Sequence, residues 1–236
     1  MKKHRIPYFD YVKGLLIILV VLGHAMPENK IFHIWLYTWH MPAFFIVSGM
    51  LLRYSGYVYK PFCRKSGIFY NGIVRLIVPY FIYACCLLVA RWINSGFDIS
   101  NLRWQSIDLL TLCGIGATWF LPCLFVGQII YYLVSKALTI WPKSILRNIW
   151  SFALAMLLIE IAVFVPSINF ITLVLYRGFV AAGFIIIGDL LLQFITYIRS
   201  GSSKMICSGT VLVCVTNIAV FWMTGINDAS LVLEYK

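Results

Sequence analysis

The stretch YVKGLLIILVVLGHAM, Tyr11 to Met26, decides the fold class. Apart from one lysine near its start and one histidine near its end, it is a run of aliphatic side chains. Crossing the hydrocarbon layer of a membrane takes about 20 such residues in a helix. Comparable runs follow at Ile34 to Leu52, Ile73 to Ile93, Thr118 to Val134, Ile149 to Val165, Phe170 to Ile198 and Met205 to Met223. The pattern predicts an all-α, polytopic transmembrane bundle of roughly seven spans. If Arg177-Gly178 breaks the long sixth run, it divides into a short re-entrant piece and one full span. Ile107 to Gly116 is too short to cross and reads as interfacial. No internal repeat or low-complexity linker interrupts the chain, so residues 1–236 read as one membrane domain.

Composition agrees. Hydrophobic residues make up 62% of the chain and charged residues 11%, whereas a soluble domain carries about 25% charged residues. The net charge of +11 could suggest nucleic acid. The cations, however, fall in short segments between apolar runs, which is the positive-inside pattern, and form no basic stripe on a soluble segment. Lys2, Lys3, Arg5 and Lys13 precede or open the first run; Arg53, Lys60, Arg64, Lys65 and Arg75 lie between the second and third. Lys136, Lys143 and Arg147 follow the fourth, and Arg199 and Lys204 the sixth. With helices alternating direction, these groups share one side, so the N-terminus is expected in the cytoplasm. The opening MKKHR resembles a signal peptide, but no small-residue cleavage site follows, and a retained signal-anchor helix is expected. Tryptophans near the run ends serve as interfacial anchors. The seven cysteines include no CxxC pair and mostly sit in apolar runs, so neither a metal centre nor a disulfide framework is expected.

Ionisable residues inside a span are functional candidates, because each costs several kcal/mol unless paired or hydrated. Lys13 and His24 are eleven residues apart. Eleven helical steps make three turns plus about 20°, placing both on one helix face with roughly 16 Å of rise between them. The simpler alternatives are a lysine snorkelling to the headgroups and an ordinary interfacial histidine. Asp10 precedes Lys13 by three, a spacing that permits an ion pair if the helix begins early enough. In the second run His40-Met41-Pro42 combines a histidine with a helix-disturbing proline, and Ser48-Gly49 allows another backbone to approach. His40 faces either the same cavity as His24 or the interface. Arg177 and Asp189 lie about 18 Å apart along one straight helix, so they cannot pair with each other and Asp189 needs a partner from another span or water.

Taken together, FDYVKGLLIILVVLGH (Phe9 to His24), HMPAFFIVSG (His40 to Gly49) and RLIVPY (Arg75 to Tyr80) resemble the acyltransferase-3 family of bacterial membrane O-acyltransferases, in particular its fucose or exopolysaccharide O-acetylase-like branch. TWFLPCLF (Thr118 to Phe125) and RGFVAAGFIIIGDLL (Arg177 to Leu192) are similar to later segments of that family. The resemblance implies a multi-pass protein of the bacterial inner (cytoplasmic) membrane that transfers an acyl group, most often from acetyl-CoA, to a sugar hydroxyl. It implies no metal. Its partners would be the lipid bilayer and a carbohydrate acceptor. His24 would be the catalytic base. Lys13, Arg75 and Arg64 would hold the phosphates of coenzyme A, and Asp10, His40, Ser48, Trp119 and Arg177 would support the site or the substrate. The chain departs from the family where Gly72 stands in place of a second arginine, and its spans are fewer, which implies a domain C-terminally truncated relative to the family. Two other readings compete: a transporter or flippase lined by Lys13, His24, Glu160, Arg177 and Asp189, and a non-catalytic membrane module.

Overall fold

The computed structural model describes residues 7–25, 30–65, 67–139, 145–164 and 170–198, and every regular element among them is helical. The seventh apolar run, Met205 to Met223, lies outside the described residues. Among the described residues, three helical stretches, Ile68–Asn94, Gly116–Leu138 and Thr172–Thr196, are long and apolar enough to cross a membrane. The described residues fall into two compact units, one within Met1–Ser55 and Ile187–Lys236, the other Gly56–Ile186.

In the first unit α1 (Pro7–Ala25) begins on a proline, which is tolerated in a first turn because that N–H has no partner there anyway. Asp10 lies in this turn, where the helix dipole favours negative charge. Phe9 and Leu16 are buried, while Tyr8, Tyr11, Leu15, Ile18 and Leu22 are exposed. The second set steps by three and four residues, so it forms a continuous apolar stripe facing away from the protein. A helix apolar on both faces is suited to lipid on its outer side. The antiparallel partner is α2 (Lys30–Tyr54), which runs through Pro42 without interruption. Phe9 near the start of α1 lies 6.4 Å from Tyr54 at the end of α2, measured between ring centroids. Phe9, Leu16 and Val47 form the small core, with Leu192 packed against it.

The second unit opens with a short 3-10 turn at Tyr57–Tyr59 and a tight loop, then enters α3 (Ile68–Gly72). A π-helical turn, Ile73–Ile77, joins α3 to α4 (Val78–Asn94). Its cause is local: Pro79 has no N–H for the carbonyl of Arg75 four residues back, and its ring crowds that carbonyl. The helix widens instead, and the Val78 N–H reaches the carbonyl of Ile73, five residues away. Next come α5 (Ile99–Leu110), capped by the Asp98 carboxylate, α6 (Phe120–Leu138) and α7 (Ile145–Phe164). The last described helix, α8 (Phe170–Ile198), passes through Arg177-Gly178 unbroken, so no re-entrant piece forms there. Small residues allow the close packing of this unit: a Cβ on Gly178 would strike Val126, and one on Gly183 would strike Ile159.

Candidate functional site

Among the residues singled out from sequence, Asp10, Lys13, His24, His40 and Ser48 belong to the first unit, and Arg64, Arg75, Trp119 and Arg177 to the second. Because α1 starts at Pro7, Asp10 and Lys13 share its helical register, and their charges interact. Lys13 is half-buried, and its neighbours one turn away on either side, Phe9 and Leu16, both belong to the core with α2. It therefore sits by the α1–α2 seam rather than on the lipid-facing stripe. Position 24 lies in the last turn of the same unbroken helix, within about 20° of position 13 around the axis. The His24 side chain is outside the described residues.

His40 is buried, and its Nδ1 lies 2.7 Å from the carbonyl oxygen of Leu36, one turn back. A carbonyl can only accept, so Nδ1 carries the proton and, in the neutral ring, Nε2 holds the lone pair. Ser48 is half-buried in the same helix. At the far end of α2, Arg53 donates to the Asp189 carboxylate of α8 at 2.9 Å. This supplies the partner from another helix that Asp189 needed. Beside it, a Cβ on Gly188 would collide with the carbonyl oxygen of Ile46, so glycine permits α8 to meet the α2 backbone directly.

In the second unit two sequence candidates come together. Arg177 is buried on α8, its guanidinium 5.0 Å from the Trp119 ring centroid, and its Nη1 donates to the Cys113 carbonyl at 2.9 Å. The Cys123 thiol donates to the backbone carbonyl of Arg177 at 3.0 Å. The backbone between α5 and α6 is thus fastened from several sides. Tyr80 donates to the Leu109 carbonyl at 2.8 Å, and Thr118 exchanges two hydrogen bonds with the backbone of Ile115. The guanidinium of Arg91 lies against Gly116, where an added Cβ would stand 3.0 Å from Nη2. Leu112 adopts a left-handed φ of 63°, costly for a branched side chain and sustained only by such surroundings. Asp108 is partly buried here; desolvation pushes its carboxyl above the usual carboxylate range, against the pull of Arg177 and Arg91. Burial likewise raises the Cys113 thiol.

The sequence pattern gives Cys113 and Cys123 no metal or disulfide role, counts Arg53 only among the loop cations, and assigns nothing to Asp108 or Arg91. Their only mark in the sequence is polarity within or beside apolar runs. Arg64 and Arg75 are both exposed, Arg75 on the π-helical turn, a distortion that recurs at functional positions. Among the described residues no three His, Cys, Asp or Glu side chains gather into a cluster that could hold a metal ion.

The sequence model of the acyltransferase-3 family, described as an acyltransferase domain, matches residues 6–235. The chain belongs to the acyltransferase-3 family. All nine candidate residues fall inside the acyltransferase-3 match, as do both compact units almost entirely. Two relatives are the nodulation protein NolL of Sinorhizobium fredii and that of Mesorhizobium japonicum. The first is 34% identical over 124 residues, covering 48% of this chain and 32% of the relative. The second is 29% identical over 146 residues, covering 56% of this chain and 37% of the relative. The chain thus spans about a third of the length of the curated relatives it matches. No solved structure matches. Family membership and the apolar helices together make this a membrane protein.

Proposed function

We propose that this chain is a multi-pass O-acyltransferase of the bacterial inner membrane. It moves an acyl group, acetyl by this reading, from cytoplasmic acyl-CoA to a hydroxyl of a cell-envelope or exopolysaccharide sugar. The single observation that carries the proposal is the Lys13–His24 register on one unbroken helix, inside a family match that spans residues 6–235. The proposal treats residues 1–236 as one catalytic domain with about seven spans and a cytoplasmic N-terminus, the orientation that the loop charges support.

A sugar hydroxyl is a weak nucleophile at neutral pH because it holds its proton tightly. The His24 imidazole, with an ordinary pKa near 6.5, is suited to removing that proton as the oxygen attacks the thioester carbonyl. The new C–O bond forms, the C–S bond breaks, and the departing thiolate takes up the proton. Lys13, Arg64 and Arg75 supply cations for the donor's phosphates, all on the side the loop charges make cytoplasmic. Asp10 lies one turn before Lys13 on the same helix, and His40, Ser48, Trp119 and Arg177 shape the surroundings of donor and acceptor.

The test is transfer from radiolabelled acetyl-CoA to cell-envelope glycans in membranes expressing this chain, beside His24→Ala at matched membrane levels. Label incorporated by the wild type and lost in the variant is expected. Label retained in both would remove His24 from the chemistry, and label in neither would overturn transfer by this chain alone.

A further inference from the structure

The loop from Gly56 to Gly67 uses its aromatic side chains to hold cations at a fixed place. The 3-10 turn seats Tyr57 edge-on against Tyr132 of α6, with ring centroids 6.5 Å apart, and Phe62 stacks on the same tyrosine at 5.6 Å. The Tyr132 hydroxyl donates to the Lys60 carbonyl at 3.4 Å, and the Tyr57 hydroxyl to Gln128 at 3.3 Å. The Lys60 ammonium lies 5.9 Å from the Tyr57 ring centroid, and the Lys136 ammonium 5.7 Å from that of Tyr132. Each lysine therefore rests on one ring of the same edge-to-face pair, at a distance where cation–π attraction acts. The loop is tight, the Ile68 and Phe69 N–H groups at the start of α3 donating back to its Pro61 and Phe62 carbonyls, and it presents Arg64 and Lys65 to the exterior.

Position in the fold selects the partner. The loop leads directly into Ile68–Asn94, and Lys136 lies in the last turn of Gly116–Leu138, both long and apolar enough to cross a membrane. These cations thus gather where two spans end, at the depth of the headgroups. Nearby Tyr59 and Tyr70 are exposed, as interfacial aromatic side chains are. No acidic residue occurs between Glu28 and Asp98 or between Asp108 and Glu160, so neither the loop nor α6 carries a counter-charge of its own.

We infer that Lys60 and Lys136, with Lys65, form a docking surface for the phosphate of an anionic phospholipid headgroup. The aromatic base fixes the two lysines, so binding a headgroup orders little that is not already ordered. The inference does not depend on the acyl-transfer reading.

The test is native mass spectrometry of the purified full chain titrated with phosphatidylglycerol and, separately, phosphatidylcholine. The wild type should bind phosphatidylglycerol preferentially, and a K60Q/K136Q double variant should bind it roughly thirtyfold more weakly with phosphatidylcholine binding unchanged. K60R/K136R should restore the preference, and R103Q, on α5, should leave it intact. A wild type without preference, or a double variant that keeps it, overturns the inference. So does a double variant whose phosphatidylglycerol binding is normal while its acetyl-CoA binding falls, since the cations would then serve the donor.

Discussion

The guanidinium of Arg177 stands 5.0 Å from the ring centroid of Trp119 while donating to the Cys113 carbonyl, so one buried cation fastens both ends of the segment between α5 and α6. Cation–π contact is worth about 0.5–2 kcal/mol and a hydrogen bond from a charged group about 1.5–3 kcal/mol. Arg177→Leu should therefore lower stability by about 2–4 kcal/mol, read as a drop in thermal unfolding midpoint in detergent. Arg177→Lys should recover only part of this, because an ammonium cannot reproduce the planar guanidinium. A double-mutant cycle with Trp119→Leu should give a coupling of about 1 kcal/mol; additive losses would mean that the ring contact contributes nothing.

Gly188 and Gly14 both lie inside helices, but only the first meets a neighbour. An added Cβ at Gly188 strikes the Ile46 carbonyl, whereas at Gly14 nothing lies within 4 Å. Gly14→Ala should be neutral or stabilise by about 0.5–1 kcal/mol through helix propensity. Gly188→Ala should destabilise by about 1–3 kcal/mol through forced separation of α2 and α8. Equal effects at the two sites would contradict the close approach.

The π-helical turn carrying Arg75 owes its width to Pro79. Pro79→Ala supplies the missing N–H, so this turn should relax towards α-helical hydrogen bonding and rotate Arg75 relative to α4. If Arg75 holds donor phosphates, KM for acetyl-CoA should rise several-fold while the helix content seen by circular dichroism stays constant. An unchanged KM would separate the turn from donor binding.

Asp98 caps α5 by accepting from the Ser100 hydroxyl and backbone N–H, both at 2.9 Å, and these bonds hold its carboxyl below the usual carboxylate range. A depressed folded pKa means that the carboxylate's contribution is complete above the unfolded value and is lost as pH falls through the folded one. The first turn of α5 should therefore fray only under acid conditions, below about pH 4, visible as weakened protection of the Ser100 amide in hydrogen exchange. In Asp98→Ala that amide should be unprotected at every pH. Identical pH profiles for the two proteins would exclude the cap.

Much of the local structure was legible from the sequence because it depends on neighbours a few residues apart. Aliphatic runs near membrane-crossing length form helices, since only a helix satisfies its own backbone in lipid. The eleven-residue separation of Lys13 and position 24 sets their shared face once the helix is continuous, and Asp10 falls into register because the helix starts at Pro7. The same local logic gives the cause of the π turn, a proline four residues after Arg75, although the sequence pattern alone marked only a span there.

What only the tertiary structure decided is which distant polar groups meet. Arg53 and Asp189 pair across 136 residues, and Arg177 reaches the Cys113 carbonyl across 64. Periodicity carries no information about such partners, because closing long loops depends on how whole helices pack and not on any local preference. The physical rule read from sequence stated only the requirement: a charge in an apolar run must find a partner. Small residues at Gly178, Gly183 and Gly188 let the helices come close enough to meet that requirement, and the packed helices chose the partner.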